Sequence, residues 1–111
     1  MILALVSPNG ELCAVDVQDL IYLQIDSADG LRLYSYDGRF KALSAIKEWA
    51  ALLQEQNFIQ VDRGTIVNVG KIEEYNPHLR VVTVHTSEGE VLLPVAEKVI
   101  RPLRRLLNDI D

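Results

Sequence analysis

The chain has 111 residues, 49% of them hydrophobic, and a formal net charge of −5. This length fits a single domain, residues 1–111, with its own buried core, and no apolar run approaches the roughly 20 residues that a membrane span requires. The first residues lack the basic segment of a secretory signal peptide, so we expect a cytoplasmic protein.

The charge is unevenly distributed along the chain. Residues 1–31 contain five acidic residues and no Lys or Arg, whereas all 11 basic residues lie in residues 32–111, where 11 acidic residues balance them. Exposed charges are screened beyond about 8–10 Å at physiological salt. A negatively charged partner could therefore approach one face of the C-terminal part despite the acidic total.

The pattern along the chain predicts many short strands and two helices. Alternating apolar residues between turn signals such as Asn9-Gly10 and Asp37-Gly38 indicate strands, at residues 2–6, 12–17, 20–25, 31–36, 39–42, 58–62, 65–69, 80–86 and 91–95. Residues 26–30 are predicted as a loop and residues 73–79 as a turn. Such a series of strands is typical of a mainly β fold, either a barrel or stacked antiparallel sheets.

Helical spacing appears in two places. Leu43, Ile46, Trp49, Ala50 and Leu53 recur at helical intervals, which predicts a helix over residues 45–55 with Ser44 as its N-cap and Asn57 as its stop. A second helix is predicted from residue 96 to about residue 108. Pro102 lies inside it and removes an amide donor, so we expect a break or a new start there.

Several residues could in principle carry chemistry, but none has the surroundings of a catalytic or metal site. Cys13 has no second cysteine to pair with, and neither His78 nor His85 has an evident partner. Phosphate loops, nucleophile elbows and metal-ligand spacings are absent from the sequence. We therefore expect neither an enzyme nor a cofactor or metal site, and we interpret Cys13 and Trp49 as core residues.

The most ordered stretch of the sequence is residues 58–72, FIQVDRGTIVNVGKI. Apolar residues occupy both parities of its two strands, which predicts a central strand pair covered on both faces. Asp62, Arg63 and Gly64 interrupt the apolar run and form a charged tip. Arg63 could be a solvated turn residue or a partner of Asp62, or it could offer its guanidinium group to a phosphate or a guanine edge.

Two further groups have alternative interpretations. Tyr34 and Tyr36 could stack on bases or form a half-buried cross-strand pair. The C-terminal basic cluster could face phosphates, or it could complement the dipole of the helix C-terminus and maintain solubility. It comprises Lys98, Arg101, Arg104 and Arg105.

The stretch 58–72 resembles the signature of the LytTR family of bacterial DNA-binding domains. The matching residues are Phe58, Ile59, Val61, Arg63, Ile66, Val67, Asn68, Lys71 and Ile72. Residues 15–23 resemble the family's early segment, and residues 92–95 resemble its late strand. The resemblance implies a mainly β domain of antiparallel sheets that places loops in successive major grooves of promoter repeats and regulates transcription.

In the family, DNA is contacted from three places, and the resemblance transfers each to this chain. The first is the loop that enters the strand near Leu31, where Arg32 is the candidate. The second is the tip, where Arg63 is retained but Asp62 replaces the family's histidine. The third follows the late strand, where Ala96 and Glu97 replace Ser-Arg and Lys98 follows.

We therefore predict sequence-specific binding of double-stranded DNA through Arg63, Arg32 and Lys98. The alternative is a related domain that has lost DNA binding and acts as a protein-interaction module, for example as a homodimer. Asp62 and Glu97 motivate this alternative, because each like-charge contact with a phosphate would cost on the order of 1 kcal/mol at effective dielectric constants of about 20–80.

Overall fold

The computed structural model describes residues 1–26, 30–42 and 45–108. Within these ranges, ten strands form two antiparallel sheets. The strands are β1 (Ile2–Val6), β2 (Leu12–Asp16), β3 (Leu20–Asp26), β4 (Gly30–Ser35), β5 (Arg39–Lys41), β6 (Phe58–Asp62), β7 (Thr65–Asn68), β8 (Ile72–Asn76), β9 (Val81–Thr86) and β10 (Gly89–Pro94). The sequence-based prediction of a mainly β fold of antiparallel sheets is confirmed, and the sheets are stacked.

The larger sheet has seven strands in the order β2-β1-β5-β4-β3-β7-β6, and the smaller sheet has the order β10-β9-β8. Helix α1 (Ile46–Leu53) and helix α2 (Ile100–Asn108) complete the fold. Short 3-10 helices cover Val17–Asp19, Gln54–Gln56, Val69–Lys71 and Glu97–Val99.

The larger sheet has a separate hydrophobic core on each face. On the first face, Leu23, Leu33 and Ile66 are buried against α1, whose Leu53 is fully buried. On the second face, Tyr22 and Val67 pack against the smaller sheet and against Leu103 of α2. This arrangement follows from strand alternation, because successive side chains point to opposite faces.

The pair β6–β7 is covered on both faces, as the two apolar parities predict: all four residues of β7 are buried, and Phe58 and Val61 of β6 belong to opposite cores. The pair is not central, however, because β6 is the terminal strand of the sheet. The segment after β10 covers this edge, and the amide of Ala96 donates a hydrogen bond to the carbonyl of Val61 at 2.7 Å.

The predicted turn at residues 73–79 is confirmed for residues 77–79 and is wrong for residues 73–76, since Ile72–Asn76 forms β8. A bulge between Ile72 and Glu74 and two consecutive glutamates hide its alternation. The C-terminal helix is also shorter than predicted. It begins at Ile100 after a 3-10 turn, so Pro102 lies in its first turn, where a missing amide donor has no intrahelical bond to lose.

Helix α1 spans a shorter range than the predicted 45–55. Ser44 lies outside the described residues, and Ala45 occupies the N-cap position without a side-chain hydrogen bond. The predicted stop is confirmed, because Asn57 adopts the left-handed conformation with a φ of 66°. Part of the predicted loop at residues 26–30 lies outside the described residues, and its ends belong to β3 and β4.

Candidate nucleic-acid interface

The tip between β6 and β7 is held by hydrogen bonds from its own side chains. Asp62 Oδ1 accepts a hydrogen bond from the amide of Gly64 at 2.9 Å, and Gln60 Nε2 donates to the carbonyl of Arg63 at 3.2 Å. These bonds fix the backbone around Arg63, whose side chain is exposed. Within the described ranges, no ion pair joins Asp62 to Arg63, since the carboxylate is directed at the turn backbone.

The same tip is docked against the end of β3. The amide of Ile25 donates to the carbonyl of Gly64 at 2.9 Å, and Gln24 Nε2 donates to Thr65 Oγ1 at 3.2 Å. Thr65 is only 1% exposed. The tip is therefore a fixed part of the sheet end, and Arg63 projects from a preorganised position.

Arg32 lies within β4, on the face of the sheet that bears the second core. The register places it directly opposite Gln24 of β3 and Lys41 of β5. Its guanidinium group forms an ion pair with Asp26 at 3.4 Å. The neighbouring Leu31 is buried in the first core and cannot contact a ligand.

Lys98 is exposed in the 3-10 helix that follows β10. The hydrogen bond between Ala96 and Val61 fixes this helix beside the end of β6, two residues before Arg63. Glu97, its neighbour, is also exposed. The 3-10 helix that carries Lys98 continues directly into α2, which begins at Ile100 and carries Arg101 and Arg105.

The strand register brings the three predicted residues to one end of the larger sheet. Gln24 pairs with Arg32 on one side and with Thr65 on the other. Arg63 lies two residues before Thr65, and Lys98 follows the segment that is bonded to β6. The end of the sheet thus presents basic side chains from β4, the β6–β7 tip and the segment after β10.

Sequence reasoning did not select Lys41, although it is exposed and lies at the same end of the sheet. In the sequence, a single lysine in a short strand cannot be distinguished from an ordinary solvent-exposed lysine. Its position beside Arg32 becomes visible only through the register of β4 and β5, which residue spacing does not supply.

Of the two interpretations of Tyr34, the structure supports a cross-strand aromatic pair, and the partner is Tyr22 of β3. The two rings stack with centroids 4.3 Å apart and an interplanar angle of 9°. Burial, with smaller contributions from Tyr34 and Glu88, raises the pKa of Tyr22 to about 12. Tyr36 is 57% exposed at the opposite end of β4.

The remaining features to consider are metal sites, membrane-spanning helices and the residues Cys13 and Trp49. In the part of the chain that the structure describes, no group of three or more His, Cys, Asp or Glu side chains is arranged to hold a metal ion. None of the helices found in the described ranges is long and apolar enough to cross a membrane. Cys13 is partly buried and packs against the first core, as predicted, and so does Trp49.

Stacked antiparallel sheets with basic residues at one sheet end define a domain suited to contacting a polyanion by its loops and strand ends. The family model of the LytTr DNA-binding domain matches residues 10–108. The chain therefore belongs to the LytTR family of DNA-binding domains, and the resemblance in residues 58–72 is confirmed.

A comparison with solved structures supports the same fold. The LytTr DNA-binding domain of a protein named as a methyl-accepting/DNA response regulator from Bacillus cereus superimposes with a TM-score of 0.76. The two sequences are 21% identical, and the match covers 96% of this chain and 95% of that chain. A comparison with curated protein sequences gives no match.

Proposed function

We propose that residues 1–111 act as one domain that binds double-stranded DNA sequence-specifically and regulates transcription, with loops of the sheet end entering the major groove. The family is one of DNA-binding domains, and no catalytic step is part of the proposal. The observation that carries it is that Arg32 and Arg63 lie at one sheet end through the β3, β4 and β7 register, with Lys98 beside them through the hydrogen bond between Ala96 and Val61.

Within this proposal, Arg63 reads a base and the other cations contact phosphates. A guanidinium group on a fixed tip can donate two hydrogen bonds to a guanine edge in the major groove, and the hydrogen bonds of Asp62 and Gln60 hold the tip in place. The charge of Arg32 is partly neutralised by Asp26, so Arg32 should attract phosphate less strongly than an unpaired arginine at the same position. Lys98 is exposed and carries a flexible ammonium group suited to phosphate.

The test compares Arg63→Ala with Arg63→Lys in a fluorescence anisotropy titration of a labelled duplex selected from a random library. Arg63→Ala should weaken binding by about 1–3 kcal/mol, roughly 5- to 150-fold. Arg63→Lys should retain the salt dependence but lose discrimination between selected and random duplexes, because lysine lacks the planar fork. Unchanged discrimination in both variants would contradict the role of Arg63.

A second candidate function is a protein-interaction module without DNA binding, and one surface favours it. The face of β1 and β2 that points away from the first core is exposed and mostly apolar: Ile2 is 65% and Leu12 77% exposed, Ala4 lies opposite Ala14, and Asp16 lies opposite Ile2. Strand β2 is also a terminal strand of the sheet. Under this alternative, which includes a homodimer, the protein would bind no duplex at low salt and would elute as an assembly.

A further inference from the structure

The basic surface at the sheet end extends beyond the tips along a cross-strand row. On the face that bears the second core, the register aligns Leu12, Val6, Lys41, Arg32, Gln24 and Thr65 across six strands. The row is apolar at β1 and β2 and positively charged at β5 and β4. Lys41 is therefore the outermost cation of the row.

On β4 and β5, the second core ends one row before the row that contains Arg32 and Lys41. In the adjacent row, Tyr22 is 6% exposed beneath the smaller sheet and stacks on Tyr34. In the row of interest, the side chain of Arg32 is 19% exposed and Lys41 is exposed. The β5 part of this row, at Lys41, is thus open to an external partner, whereas Thr65 at the β7 end of the row is only 1% exposed.

Two cations directly opposite each other on adjacent strands destabilise a sheet. Lys41 and Arg32 occupy such a position. Asp26 pairs with Arg32 at 3.4 Å and offsets its charge, so Lys41 carries the net positive charge of the three residues. An anion bound at Lys41 would neutralise the remaining positive charge of Lys41, Arg32 and Asp26.

We propose that Lys41 contacts the phosphate backbone of the bound duplex. The contact is to the DNA strand that borders the major groove into which the Arg63 tip inserts. Adjacent strands lie about 4.8 Å apart, so β5 lies about 14 Å from β7 across three strand spacings. The major groove is about 12 Å wide. The distance between β5 and β7 is thus close to the width of the groove. The Arg63 tip can therefore lie inside the groove while Lys41 lies at the phosphates along its edge. The inference rests on the proposed DNA binding and assigns it a contact outside the three predicted residues.

The experiment compares Lys41→Ala with Lys47→Ala in anisotropy titrations over a range of salt concentrations. Lys47 is a matched control, because it is exposed on α1, which covers the opposite face of the sheet. Lys41→Ala should reduce the slope of log K against log salt by about 1 and weaken binding equally for selected and random duplexes. Lys47→Ala should leave the slope unchanged.

Two outcomes would overturn the inference in distinguishable ways. A slope for Lys41→Ala equal to that of Lys47→Ala, with Arg63→Ala still impaired, would refute the Lys41 contact and leave the proposed function intact. The absence of duplex binding by the unmodified protein would refute both. A charge-reversed variant, Lys41→Glu, should lose more affinity than Lys41→Ala, and thermal unfolding of each variant verifies that the fold is retained.

Discussion

Asp62 has two opposing effects at the tip that carries Arg63. Its Oδ1 atom accepts the Gly64 amide at 2.9 Å and so stabilises the turn. Its charge, however, lies on the same tip as Arg63 and, in the proposed docking, would lie near an approaching phosphate. A carboxylate is thus a compromise at this position, since an uncharged acceptor could make the same hydrogen bond.

We expect Asp62→Asn to bind DNA more tightly than the unmodified protein. The amide oxygen retains the acceptor for Gly64, and removal of the negative charge should contribute on the order of 1 kcal/mol, about fivefold in affinity at low salt. Anisotropy measures the affinity, and thermal unfolding should show no loss of stability. Weaker binding by Asp62→Asn would mean that the carboxylate itself contacts the duplex or an essential cation.

At the residue scale, the sequence identified what a local pattern can identify. Arg63 interrupts an apolar run and lies at an exposed tip, as predicted. The pairing of Tyr34 with Tyr22 and the position of Lys41 opposite Arg32 depend on strand register. Register arises from tertiary packing of whole strands, so residue spacing alone could not supply these neighbours.

At the scale of elements, Asn68 joins β7 to the following 3-10 turn. It is 2% exposed, its Nδ2 atom donates to the carbonyl of Leu20 at 2.9 Å, and its Oδ1 atom accepts the amide of Gly70 at 3.1 Å. The bond to Leu20 ties this junction to the start of β3. Asn68 therefore bonds two backbone groups, one of them the carbonyl of the fully buried Leu20.

We predict that Asn68→Ala lowers the free energy of unfolding by about 2–3 kcal/mol, because it leaves a buried carbonyl and an amide unpaired. Asn76→Ala is the matched control. Asn76 also accepts backbone hydrogen bonds, from His78 and Leu79, but in an exposed turn where water can replace it. Urea denaturation of both variants measures the difference. An equal effect would show that burial of Asn68 adds nothing.

The elements that the sequence predicted well are those with uninterrupted alternation between turn signals. Strands β9 and β10 follow this pattern and were placed within a residue or two. Strand β8 was missed, because a bulge and two glutamates break its alternation and Asn76-Pro77 dominates the local signal. The second helical segment was placed within one residue, but the sequence did not indicate that its first turn, Glu97–Val99, is a 3-10 turn.

At the scale of the whole molecule, the sheet order places the first two strands of the chain far from the tip that carries Arg63. The largely apolar strands β1 and β2 form one edge of the larger sheet, and β6 with the tip forms the other edge. This order could not be predicted from the sequence, because β5 returns to pair with β1 across a crossover. In this chain with a net charge of −5, Glu11 and Asp16 lie at the ends of β2 on the edge away from the tip, whereas Asp26 lies beside Arg32.

The central claim is that this sheet end binds DNA by neutralising phosphates, and its most direct test uses the unmodified protein. Fluorescence anisotropy of a labelled duplex would be measured at low salt and again at about fourfold higher salt. The predicted result is binding whose log K falls with log salt with a slope between about −2 and −4, which corresponds to a few phosphate contacts. Binding that is absent at low salt, or that does not change with salt, would contradict the claim and favour the protein-interaction function.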